Sequence, residues 1–138
     1  MADFQLHPQL EKDCHLVGDL ALSRVLLVDD VRYPWVLLVP RVPGVTELHA
    51  LDSAQRLALS DESCRLGRWM LDHFDGDKLN VATLGNLVPQ LHLHHVVRTV
   101  GDPAWPGPVW GHSPPVAYSP SALVETLEAV RNGLGLPI

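Results

Sequence analysis

His92 and His94 stand one residue apart in the run Gln90-Leu91-His92-Leu93-His94-His95-Val96-Val97-Arg98. In an extended strand successive side chains alternate between faces, so Gln90, His92 and His94 share one face at intervals of roughly 6.5 Å. His95 then points the other way, with Leu91 and Leu93. Apolar Leu91, Leu93 and Val97 suit the buried side of a half-exposed sheet, leaving the Gln/His/His side to line a groove. Two imidazoles on such a face offer a nucleophile together with a group that donates a proton or a hydrogen bond near neutral pH. Phosphorus esters and anhydrides suit that equipment.

The elements that must hold this strand are readable along the chain. Pro8 to Asp13 predicts a short helix, and His15–Leu20 and Ser23–Asp29 predict two strands. Acids and a proline interrupt the pattern at 29–34 before Trp35–Val39 resumes it, the clearest hairpin in the chain. Asp52 with Gln55 three residues on forms a capping-box signal for a helix running to about Phe74. Its expected apolar face holds Leu57, Cys64, Leu66, Trp69, Met70 and Phe74, with Glu62 off it. Leu79–Thr83 predicts a further strand, and Gly85, Asn86 and Pro89 a tight loop into the histidine run. The stretch 102–111, rich in proline and glycine but carrying Trp105 and Trp110, reads as an ordered lid or dimer-contact loop. Ser119-Pro120 opens a C-terminal helix that is expected to end at Gly133.

Strands in hairpin succession around one long helix, without regular βαβ alternation, favour an antiparallel α+β architecture. The 138 residues, 46% of them hydrophobic, are expected to form one domain over 1–138 around one core. Ten basic against sixteen acidic residues leave a net charge of −6, which argues against a sequence-independent grip on nucleic acid but not against a local mononucleotide site. No stretch reaches the ~20 apolar residues of a membrane span and no signal peptide opens the chain, so a cytoplasmic protein is expected, with Cys14 and Cys64 as reduced thiols.

The run Gln90-Leu91-His92-Leu93-His94, preceded by Gly85-Asn86-Leu87-Val88-Pro89, resembles the His-x-His-x-His motif of the histidine triad (HIT) family. The hairpin from Leu27 to Pro40, the long helix after Asp52 and Arg98 fall where that family has equivalents, and the 102–111 segment resembles a bacterial branch described as diadenosine-tetraphosphate-hydrolase-like. The resemblance implies a HIT-like fold: a five-stranded antiparallel sheet with one long helix and a short C-terminal helix, usually paired as a homodimer. It implies a purine nucleotide substrate, a dinucleoside polyphosphate or a nucleoside phosphoramidate, cleaved at the α-phosphate through a histidine–nucleotide intermediate. By the same register His92 is the nucleophile, His94 hydrogen-bonds a phosphate oxygen as a cationic or donating imidazole, and Gln90 replaces the first histidine. An amide can donate to a leaving group but cannot give up a proton near neutral pH, so phosphate leaving groups are expected to fare better than amines. The resemblance also implies nucleotide-binding roles for Asp29 on the ribose hydroxyls and for Thr83 and Asn86 on phosphate oxygens, with Val25, Leu27 and the loop around Leu6 as base pocket.

A zinc site built from His92, His94 and a third histidine such as His112 is disfavoured, because no His-Glu-x-x-His helix or cysteine pair supports it. No metal and no cofactor are expected. Arg98 reads either as a phosphate ligand or as a strand-end ion pair. The reading from another class is a nucleotide-binding or sensing protein with little turnover, the glutamine having weakened catalysis.

Overall fold

The computed structural model describes residues 3–137. Pro8 at the first helical position and a His7 imidazole that accepts from the Gln9 N–H open helix α1, Pro8–Asp13. Strands β1 (Cys14–Asp19), β2 (Ser23–Val28), β3 (Trp35–Pro40), β4 (Lys78–Ala82) and β5 (Leu93–Arg98) form one sheet in the order β1-β2-β3-β5-β4. Every pairing is antiparallel. Helix α2, Ser53–His73, crosses between β3 and β4, and α3, Pro120–Leu134, follows β5. The α+β, HIT-like architecture expected from the sequence is the one observed.

The expected capping box is present: the Asp52 carboxylate accepts from the Gln55 N–H, and the Gln55 side chain accepts from the Asp52 N–H. The apolar face of α2 is only partly the expected one: Leu66, Trp69, Met70 and Phe74 pack in or against the main core. Leu59, Glu62, Leu66, Gly67 and Met70 are buried, whereas Leu57 and Cys64 are exposed. The inward stripe runs 59, 62, 66, 70, the three-and-four spacing of one helical face. Glu62 joins it because its carboxylate accepts from the backbone N–H groups of Leu22 and Ser23, at 2.9 and 3.1 Å, in the turn between β1 and β2. Gly133 lies within α3, where any Cβ would meet the Trp69 indole at about 2.1 Å. The helix ends instead at Gly135, in left-handed backbone at φ 68°.

Alternation along the strands assigns the two faces of the sheet. Val25, Leu27, Val36, Leu38, Leu91 and Val97 pack with Leu66 and Met70 of α2 and Val130 and Leu134 of α3 in the main core. Leu26, Leu37 and Val39 face the other way and are covered by Leu10 and the N-terminal Phe4 and Leu6. A third cluster, Tyr33, Val96, Ala104 and Val109, seats the proline- and glycine-rich loop against the sheet. Each fully buried leucine contributes roughly 2 kcal/mol relative to exposure, so both coverings are part of the folded structure. Among the described residues no helix is long and apolar enough to cross a membrane.

Candidate active site

The histidine strand begins later than its sequence suggests. Strand β5 starts at Leu93, so Gln90 to His92 form an irregular approach to it. The alternation survives: Leu91 and Leu93 turn into or against the main core, while the His92 and His94 rings meet on the other side with centroids 5.0 Å apart and planes at 60°. Both residues are largely covered, at 6% and 8% exposure. His92 Nδ1 lies 2.7 Å from the Gln90 carbonyl oxygen. A carbonyl only accepts, so Nδ1 carries the hydrogen and the ring's free lone pair is on Nε2. A neutral imidazole held in this way presents a nucleophilic nitrogen.

His94 sits opposite Leu37 of β3 and Ala82 of β4. Its Nδ1 accepts from two indoles, Trp35 Nε1–H at 3.0 Å and Trp110 Nε1–H at 3.3 Å. Burial, followed by the neighbouring His92 and His95, pushes its pKa from 6.5 down to about 3. The imidazole is therefore neutral near pH 7, and the cationic form among the expectations is not the one present. His95 points to the helix side as expected, with Nε2 at 2.7 Å from Ser63 Oγ on α2, and burial lowers its pKa to about 4.

These two shifts make stability depend on pH. In the unfolded chain both imidazoles take up a proton below about 6.5, while the folded chain resists protonation until about 3 and about 4. Unfolding therefore binds protons in that window, and stability, full above it, falls as the pH drops. Urea denaturation is expected to show a loss of about 2 kcal/mol per buried histidine between pH 7 and pH 5. Equal stability at the two pH values would contradict this account.

The Gln90 side chain is turned to the N-terminal segment. Its carbonyl accepts from the His7 N–H and its amide donates to the Gln5 carbonyl, both at 2.8 Å. The segment so held forms one wall of a cavity of about 440 Å³ lined by Phe4, Leu6, Leu16 and Leu26, with Arg24 and Glu11 as charged members. The wall residues from β2 are Arg24 and Leu26, not Val25 or Leu27, which the strand's alternation sends to the main core. Cys14 also lines the cavity, and burial, helped by Asp13 and Asp29, pushes its thiol up to about 12, so it stands there uncharged.

The remaining expected site residues are dispersed. Asp29 is tied to the C-terminal segment: its carboxylate accepts from the Tyr118 N–H at 3.1 Å and lies 3.1 Å from His15 Nε2. Asp30, which reads as a solvated turn residue in the sequence, is buried and chelates Arg32 through its backbone N–H and guanidinium. Thr83 and Asn86 are exposed in the loop that leaves β4 one residue after Ala82, the neighbour of His94. Arg98 makes an ion pair, its Nε and Nη2 donating to the two carboxylate oxygens of Asp102 at 2.8 and 2.9 Å and its Nη1 to Asn80 Oδ1 at 3.0 Å. His112 is exposed, with Nδ1 against Ser113 Oγ. Among the described residues no three His, Cys, Asp or Glu side chains converge to hold a metal.

Sequence reasoning missed Trp35 and Trp110 as partners of His94. Trp35 belongs to a strand 59 residues away, and its register against β5 comes from sheet pairing that no local pattern encodes.

A HIT domain pattern matches residues 9–100. Among solved structures the chain is similar to a histidine triad protein from Marinobacter aquaeolei VT8, 49% identical over 97% of this chain and 98% of that one, with a TM-score of 0.95. It is also similar to a histidine triad protein from Bradyrhizobium japonicum, 44% identical over 96% and 98%, TM-score 0.93. A third, from Sinorhizobium meliloti 1021, is 32% identical over 94% and 96%, TM-score 0.92. No curated protein matches the chain. With two thirds of its length matched by the domain and near-complete overlap with three histidine triad structures, the chain belongs to the HIT family.

Proposed function

We propose that this chain is a hydrolase or transferase cleaving at the α-phosphate of a dinucleoside polyphosphate or a nucleoside phosphoramidate. The observation that carries the reading is the His92 Nδ1–H bond to the Gln90 carbonyl, which leaves the Nε2 lone pair free beside His94. Nε2 attacks the α-phosphorus; a P–N bond forms as the bond to the leaving group breaks and its electron pair departs with that group, an amine leaving group taking its proton from solvent water. Water then attacks the same phosphorus, releasing the mononucleotide, losing a proton to solvent and restoring the imidazole. His94 donates to a non-bridging oxygen as charge builds in each transition state, and the loop with Thr83 and Asn86 supplies further donors from the β4 side.

In this reading the cavity beneath Phe4 and Leu6 takes the base, since its volume and its apolar residues Phe4, Leu6, Leu16 and Leu26 suit a flat aromatic group, with polar Gln5, Glu11 and Arg24 beside it. Gln90 holds the Gln5–His7 wall of that cavity, and Asp29, bonded through Oδ1 to the Tyr118 N–H, takes the ribose hydroxyls on its carboxylate. The chain works as a homodimer, for which β4 at the sheet edge, with Val81 and the following Leu84 and Leu87 exposed, offers a surface. Arg98 plays no part in phosphate binding.

The test is release of mononucleotide from a panel of diadenosine polyphosphates and adenosine phosphoramidates, with binding followed in parallel by calorimetry. Turnover of either class, phosphate leaving groups faster, is expected. Tight binding without release would establish the sensing alternative.

A further inference from the structure

We propose that Trp35 and Trp110 are positioning residues that lock His94 as the Nε2–H tautomer, so that the two active-site imidazoles are held in opposite tautomers: His92 with its lone pair at Nε2, His94 with its hydrogen there. The inference deepens the nucleotidyl-transfer reading and rests on it for its functional half. Its structural half stands on two hydrogen bonds alone.

An indole N–H is a donor and never an acceptor. Both indoles aim at the same atom, His94 Nδ1, at 3.0 and 3.3 Å, and that nitrogen has one in-plane lone pair, which the two donors share. A hydrogen on Nδ1, whether in the other neutral tautomer or in the imidazolium, would remove both bonds and set three N–H groups against one another in a covered site. His94 thus keeps its hydrogen on Nε2, the nitrogen left to meet a ligand. The outcome is a neutral donor that presents an N–H and not a lone pair to a phosphoryl oxygen, beside the Nε2 side of His92. Without the indoles, the ring would be free to present an Nε2 lone pair to an anionic phosphate, which repels it.

The two indoles arrive by different routes. Trp35 opens β3 and pairs with Val96, which puts its ring on the face and diagonal of His94. Trp110 comes from the loop after β5 and meets Trp35 edge-on at 6.2 Å between centroids and His94 at 5.3 Å. That loop is held by the Arg98–Asp102 pair and by Ala104 and Val109 against Tyr33 and Val96. The proline- and glycine-rich segment therefore delivers a side chain to the reacting pair.

Nitrogen-15 NMR of histidine-labelled protein at pH 7.5 reads the tautomer directly. His94, assigned with His94→Asn, is expected to show an unprotonated Nδ1 and a protonated Nε2. Trp35→Phe and Trp110→Phe keep the ring packing and remove one donor each. Each should leave the Nε2–H form dominant, while the double variant should show mixed tautomers and a kcat reduced roughly 10–100-fold, the range for losing partners that orient an imidazole, with KM within about threefold. Trp69→Phe, away from the site, should change neither reading. A protonated His94 Nδ1 in the parent protein, or an unchanged tautomer in the double variant, would overturn the lock. A tautomer that shifts in the double variant while kcat holds would overturn its part in turnover. Absence of turnover in the parent would sink the catalytic reading and leave the tautomer result to stand or fall by itself.

Discussion

Replacing His92 by Asn is expected to reduce turnover of a dinucleoside polyphosphate by roughly 10⁴-fold or more, the scale of losing an enzyme's nucleophile. Nucleotide binding should change by less than about tenfold, or 1.4 kcal/mol. The two effects separate because of where the imidazole sits. Its Nδ1–H bond to the Gln90 carbonyl is one that an asparagine amide can replace, so the approach to β5 keeps its shape. What disappears is the Nε2 lone pair, which contributes to the transition state far more than to ground-state affinity. Parallel loss of binding and turnover would assign His92 to holding the ligand, and full activity would remove it from the chemistry.

Arg98→Met is expected to destabilise the fold by about 3–5 kcal/mol, the cost of removing one partner from a buried ion pair. Arg98 is 2% exposed and grips Asp102 through two nitrogens, with Asn80 on a third and the rings of Tyr33 and Trp105 at 5.9 and 5.7 Å from its guanidinium carbon. The guanidinium holds the Asp102 carboxyl below the usual carboxylate range. Methionine fills much of the space and leaves that carboxylate bonded only to the N–H groups of Thr99, Ala104 and Trp105. The loop beginning there carries Trp110, so the His94 contact should weaken along with global stability. Urea denaturation measures the first effect; an unchanged midpoint would show that the network is dispensable.

Much of the fold was legible because its signals are local. The Asp52–Gln55 box, the Pro8 and Ser119-Pro120 starts and the alternation of Leu91, Leu93 and Val97 each depend on residues within a turn or a strand of one another. Features decided by contacts distant in sequence were not legible. Glu62 reads as an outward acid until the β1–β2 turn presents two N–H groups to it. Gly133 reads as a helix stop, yet it is retained inside α3 by the closeness of Trp69.

The site divides in the same way. His92 and His94 stand out by their spacing, and the family pattern adds the neighbouring positions. The partners that set their protonation do not: a main-chain carbonyl for one, and for the other two indoles 59 and 16 residues away. Gln90 shows the opposite limit. Its place in the motif suggests contact with a leaving group, whereas its bonds to Gln5 and His7 depend on how the N-terminal segment crosses the sheet.

The central claim is a covalent bond between His92 Nε2 and phosphorus. Mixing the protein with a diadenosine polyphosphate, quenching in base to preserve the acid-labile P–N bond and sequencing the peptides by tandem mass spectrometry tests it most directly. The account predicts an adenylyl group on His92 during turnover, absent from His92→Asn. Product release with no adduct at any time, or with the adduct on another side chain, would contradict it.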